Sequence, residues 1–250
     1  MNYFYRQGLS LSGFRTVISS AAIADWWWIN HSVAREQRSA SELVNFPPRA
    51  HLVAESSALW PSLYCAVAEA CARREPIAGQ AWSQPFQALA KTSQEAVLLA
   101  ATPVLLLQVN RYGHQQVAIQ GWANNLGLSP ILSLTLENYF QHLCLTLTGQ
   151  INLLAVSPTK TVALSEPSPH PQDVLRPLQA LVQSVQGQFL LALELAQSLG
   201  YSGPAISLLG LLACLHTGPP GLPLKLYCRA EICPMFVERW QNHTIAQLER

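Results

Sequence analysis

The chain predicts an all-α fold, a single globular multi-helix bundle over residues 1–250, on two observations. Apolar residues recur at helical spacing along most of its length, and short alternating runs rich in Val, Ile and Thr are nearly absent. The apolar share, 50% of the 250 residues, is enough material for one continuous core.

A first helix is expected from about Ser12 to Asn30, burying Phe14, Val17, Ile18, Ala21 and Trp28 on one side. Ser39 with Glu42, and Thr92 with Glu95, have capping-box spacing, in which the hydroxyl and the glutamate each accept from an otherwise orphaned backbone amide. A helix from about Pro61 to Arg74 places its proline in the first turn, where a missing amide hydrogen costs nothing, and Gly79 closes that region. The helix opened by Thr92 runs through Val97, Leu98 and Leu99 towards Leu107, with Pro103 expected to kink it. Ser129-Pro130 starts a helix in which Ile131, Leu132, Leu136, Tyr139, Phe140, Leu143 and Leu147 leave only the stripe Ser133, Glu137, Gln141 polar. That pattern suits the middle of a bundle. Prolines 158, 167, 169 and 171 mark a surface loop over 157–172. After it, Leu178, Leu181, Val182, Val185, Phe189, Ala192 and Ala196 describe one long amphipathic helix stopped by Gly200. Pro204 to His216 makes the next helix, and Val237, Trp240, Thr244 and Leu248 a last one.

Charged residues are 12% of the chain, about half the usual ~25%, so the solvated surface is expected to be poor in charge. A net charge of +1, with no basic cluster longer than Arg73-Arg74, excludes nucleic acid as a partner. The longest apolar stretch, Ala96 to Leu107, is broken by Thr102 and Pro103 and falls short of the roughly 18 residues that span a bilayer, so no transmembrane segment is expected. Met1 to Arg6 lacks a basic region followed by an apolar run, which predicts no secretory leader and a cytoplasmic protein. Cysteines 65, 71, 144, 214, 228 and 233 form no C-x-x-C pair and read as reduced, mostly buried thiols.

Three segments then resemble, in order, the signature regions of the ADP-ribosylglycohydrolase family. Phe14-Arg15 followed by Ala22-Ile23-Ala24-Asp25 is similar to the family's opening helix, R-F-R-G-A-L-L-G-L-A-I-G-D-A-L-G, with Asp25 at its aspartate. Ala24 stands where the family has glycine, and Trp26, Trp27 and Trp28 replace the small A-L-G. Ser62 to Cys71 resembles the A-L-A-L-A-L-A-E-A-L helix with Glu69 in register, while Ala58, Leu59, Trp60 and Pro61 occupy the places of its T-D-D-T turn. Gly200 to Ile206, with Gly210, Gly218 and Gly221-Leu222-Pro223, echoes G-G-D-T-D-T-I and the G-x-x-x-I-P element, with Ser202 and Pro204 where the two aspartates would stand. The resemblance covers the first third and the last fifth of the chain. It implies an all-helical hydrolase fold that cleaves ADP-ribose from proteins or related compounds with two magnesium ions.

Magnesium requires several converging oxygen ligands, preferably carboxylates. The only aspartates are Asp25 and Asp173, so no magnesium pair and no cofactor is expected, and family-type hydrolysis loses its electrostatic support. The reading is a catalytically inactive relative acting as a binding or assembly module on another protein, with an ADP-ribose-like ligand as a further option. Its vestigial pocket would comprise Asp25, Trp60, Ser202 and Pro204, with Asp25 bonded through Ser202. Three consecutive indoles in a helix point about 100° apart and cannot all enter one core face, so Trp26, Trp27 and Trp28 are candidates for partner contact, against plugging of the pocket. The alternative is a divergent hydrolase of ADP-ribosyl or related glycosidic bonds with relocated carboxylates, Glu55 and Glu137. Against it, both glutamates fit solvated faces. The seven histidines are scattered without metal spacing, and no zinc site is expected. No G-x-S-x-G elbow occurs.

Overall fold

The computed structural model describes residues 11–37, 59–73, 75–112, 116–147 and 174–217. Among them are helices only: α1 (Leu11–Gln37), α2 (Leu59–Arg73), α3 (Gln80–Ala90), α4 (Gln94–Tyr112), α5 (Gln116–Asn125), α6 (Pro130–Leu147), α7 (Leu175–Ser184), α8 (Phe189–Ser198) and α9 (Gly203–Thr217). The all-α class therefore holds. The Ser39 cap, Glu55, the 157–172 loop, Cys228, Cys233 and the final helix lie outside the described residues.

The centre of the bundle is α9, where every residue from Ala205 to His216 is buried. A helix apolar on all sides must be enclosed on all sides, and α9 touches α1, α4, α6, α7 and α8. The helix expected in the middle of the bundle, α6, packs against α4, α5 and α9 without being enclosed on every side. In α6, Ser133 is buried with its hydroxyl unpartnered, whereas Ile131 and Leu134 are exposed. The second enclosed element is α4, buried from Ala96 to Leu106 with Pro103 inside it. Thr102 spends its proton on the Leu98 carbonyl at 2.8 Å and stands 3.0 Å from the Tyr139 hydroxyl, which is left to donate to it. That bond ties α4 to α6.

Four pairings fix how α1 and α9 run. Thr16 meets Cys214, whose thiol lies 3.8 Å from the Thr16 carbonyl; Ala24 meets Gly210, Asp25 meets Ser207 and Trp28 meets Gly203. One number rises as the other falls, so the helices are antiparallel. Small side chains along the seam let the backbones come close: a Cβ on Gly210 would stand 2.6 Å from the Ala24 Cβ.

Local chemistry moved several boundaries. The cap of α4 is Ser93, whose Oγ accepts from the Ala96 amide at 3.1 Å and donates to Glu95 at 2.6 Å; Thr92 instead donates to the Leu89 carbonyl. The helix expected from Leu178 to Ala196 is two, α7 and α8. Its chain reverses at Gln186 (φ 52°) and Gly187 (φ 73°). Left-handed backbone at two successive residues ends a helix, and the Gly187 amide returns to the Val182 carbonyl at 2.8 Å. Gly200 does terminate α8, as read from the sequence, with φ 79° and the Tyr201 amide bonded to the Ala196 carbonyl at 3.0 Å. Gly79 starts α3 rather than merely closing the region before it, and α3 and α5 are additional helices. Trp122 of α5 locks the α2–α3 connection through Nε1 to the Ile77 carbonyl at 2.8 Å and stacks edge-on against Phe86 of α3 at 5.6 Å.

No described helix is long and apolar enough to cross a membrane. Cys65, Cys71, Cys144 and Cys214 form no disulfide, and all but Cys65 are buried. Burial pushes the Cys144 thiol up to about 11 and the Cys214 thiol to about 12, which makes both inert at neutral pH.

Candidate functional site

Asp25 sits in the buried stretch of α1, only 4% exposed, facing the first turns of α9. Burial raises its carboxyl to about 7, an effect partly offset by a hydrogen bond with Ser207. Ser207 donates its own proton to the Gly203 carbonyl at 2.9 Å. The same hydroxyl thus serves both the Gly203 carbonyl and Asp25, whose charged form it favours when it turns to the carboxylate. The anticipated partner, Ser202, is elsewhere. It is exposed, and its Oγ accepts from the Ala205 amide at 3.4 Å as the cap of α9.

The three tryptophans part company as helical geometry requires. Trp27 is buried in the core, and Trp26 and Trp28 are half-buried against it. Trp28 lies on the opening of α9: a Cβ on Gly203 would be 2.9 Å from its Cε3 and Cζ3. Only glycine admits the indole at this distance. Pro204, half-buried in the first turn of α9, offers no ligating group.

Trp60 lies in the first turn of α2, 2% exposed, with Nε1 buried and without a hydrogen-bond partner. Its ring meets Tyr64 edge-on at 6.0 Å, and the Tyr64 hydroxyl donates to the Ile18 carbonyl of α1 at 3.3 Å. Ile18 is two turns before Asp25, about 10 Å along the helix axis. The structure thus joins Asp25, Trp28 and the Gly203 turn directly, and ties the Trp60 segment to the same helix farther along.

These residues do not fit a two-magnesium centre. Asp25 is a single carboxyl that burial keeps protonated up to about neutral pH, Ser202 is engaged as a cap, and an indole covers the turn. Among the described residues, no three of His, Cys, Asp or Glu converge as a metal cluster. Glu137 is half-buried on α6 and accepts from Gln120 Nε2, so it faces α5 rather than Asp25.

A pair that sequence spacing did not reveal lies at the other end of α9. His142 of α6 and His216 of α9 are 6% and 5% exposed, with ring centres 5.7 Å apart and planes tilted by 50°. His142 Nδ1 is 3.1 Å from Gln179 Nε2, and its Nε2 is 3.5 Å from Thr146 Oγ1. Both ring nitrogens of His216 lack any partner. Burial lowers His142 to about 4; burial and the neighbouring His142 lower His216 to about 3. One signal was available: His142 continues the Tyr139 face of α6, and His216 ends an otherwise apolar run. Both patterns foretell buried imidazoles.

No family model matches the chain, and neither a curated protein nor a solved structure matches it.

Proposed function

We propose that the protein is a non-catalytic module of the ADP-ribosylglycohydrolase type that docks onto another protein. One observation carries this reading: the Trp28 ring rests on Gly203, where family-type catalysis needs an acidic turn open to substrate. The segments that resemble the first and third signature regions are neighbours, as the resemblance requires, but an indole and a helix cap fill the ground between them. Surface chemistry supports the docking role. Leu190, Leu191 and Leu199 at α8 and Ile131 and Leu134 on α6 are exposed apolar side chains in a chain with few charges.

The rival hydrolase reading has one point in its favour. A carboxyl raised to about 7 is matched to general-acid work near neutral pH. Its burial beneath α9 and the engagement of Glu137 with Gln120 of α5 weigh against that role.

The test is release of ADP-ribose from an ADP-ribosylated peptide with and without magnesium, beside calorimetry with free ADP-ribose. No release in either condition is expected; magnesium-dependent release overturns the proposal. Docking is checked by affinity capture with wild type and Leu191→Glu. A partner retained by the first and lost from the second supports an α8 surface, and equal retention removes it.

A further inference from the structure

We propose that His142 and His216 are the protein ligands of a transition-metal ion of the zinc class. The geometry fits. Two imidazoles bound to one ion by bonds of about 2.0–2.1 Å at a near-tetrahedral angle have ring centres about 5–5.5 Å apart. The observed 5.7 Å with a 50° tilt is close to that, and is neither a stacked pair nor a hydrogen-bonded one.

A second observation is independent of the spacing. His216 is 5% exposed, yet neither of its ring nitrogens has a hydrogen-bond partner. A buried polar group without a partner is costly, and in native proteins such an orphan calls for a bound water or ion. Imidazole nitrogen is a borderline-soft donor that prefers zinc, nickel or copper to magnesium or calcium.

The surroundings supply what a metal-bound histidine needs. Gln179 lies 3.1 Å from His142 Nδ1. With its amide turned so that the oxygen accepts from Nδ1–H, the tautomer is fixed and the Nε2 lone pair is left to accept. Thr146 holds Nε2 only loosely, at 3.5 Å. Gln179 and Thr217 are half-buried, which places the pair one layer beneath the surface and within reach of solvent. Water completes the coordination shell. The site is separate from the Asp25 region: Gly203 and His216 lie at opposite ends of α9, about 20 Å apart along its axis.

The full chain is titrated with Zn²⁺ and with Co²⁺ as a spectroscopic probe, beside His142→Leu, His216→Leu and Gln179→Leu. One equivalent is expected on wild type, bound at least tenfold more weakly by either histidine variant and about tenfold more weakly by Gln179→Leu. No binding to wild type, as when water alone occupies the pair, overturns the proposal. So does equal binding by wild type and both histidine variants, which assigns the metal to other histidines or cysteines. Circular dichroism checks that the variants fold. Should they unfold, sub-stoichiometric Cu²⁺ added to wild type decides: broadening of the two low-pKa imidazole signals in nitrogen-15 spectra supports the site, and unchanged signals overturn it.

Discussion

Gly210 and Ala24 are reciprocal partners across the α1–α9 seam, since a methyl on Gly210 would stand 2.6 Å from the Ala24 methyl and 3.1 Å from the Phe189 ring. Gly210→Ala gains about 1 kcal/mol of helix propensity but forces two backbones apart, because a Cβ cannot rotate away. Overpacking costs about 1–3 kcal/mol and wins. The variant should unfold at lower urea, and adding Ala24→Gly should recover part of the loss. A Gly210→Ala protein as stable as wild type would refute the close seam.

Asp25 makes stability depend on pH in an unusual direction for a carboxylate. The folded chain keeps a proton up to about 7 that the unfolded chain releases near 3.8. Its contribution is complete below 3.8 and is lost as pH rises through 7. Asp25→Asn, a neutral near-isostere, should therefore match wild type near pH 4 and exceed it by roughly 2–4 kcal/mol at pH 8.5. Urea unfolding at the two pH values measures this; a difference that does not change with pH defeats it.

Helical class was legible because the 3.6-residue period of apolar positions survives any detail of packing. Breaks and partners were not legible for specific reasons. Leu178 to Ala196 keeps helical spacing straight through Gln186 and Gly187, so periodicity cannot register a reversal set by two left-handed residues. Ser93 displaced Thr92 as a cap by one position, within the ordinary uncertainty of helix ends. The seam residues Asp25 and Trp28 stood out in the sequence by type, but Ser207, the actual partner of Asp25, looked like any serine in an apolar helix. His142 and His216 come together only because α6 packs on α9, and single-chain spacing contains no trace of that.

The α7–α8 break carries its own test. Gln186 adopts φ 52° at the position after the α7 cap, where glycine is usual, with its amide on the Gln183 carbonyl at 3.0 Å. A side chain in this conformation costs about 1 kcal/mol, and glycine loses part of the gain through its freer unfolded chain. Gln186→Gly should stabilise by roughly 0.5 kcal/mol, a rise of about 1–2 °C in Tm, and Gln186→Val should destabilise. The opposite order would show that α7 and α8 are not joined by this reversal.

The histidine pair should govern acid sensitivity. Unfolded imidazoles take up protons near 6.5, whereas in the fold His142 does so at about 4 and His216 at about 3. Their contribution is complete above 6.5 and is lost as pH falls through 4 and then 3. Near pH 5 the folded chain thus binds up to two fewer protons at this pair. Each proton is worth about 1.4 kcal/mol per pH unit, so relative to wild type a His142→Leu/His216→Leu protein should gain roughly 2–3 kcal/mol for each unit of acidification between pH 6 and 4.5. Parallel stability profiles for the two proteins would mean that the imidazoles are exposed to solvent rather than enclosed between α6 and α9. A bound ion also requires neutral rings, which the fold already keeps down to about pH 4, so zinc should raise wild-type stability by a constant amount between pH 6 and 4.5 relative to chelator and steepen the loss only below that. The double variant should not respond to either addition.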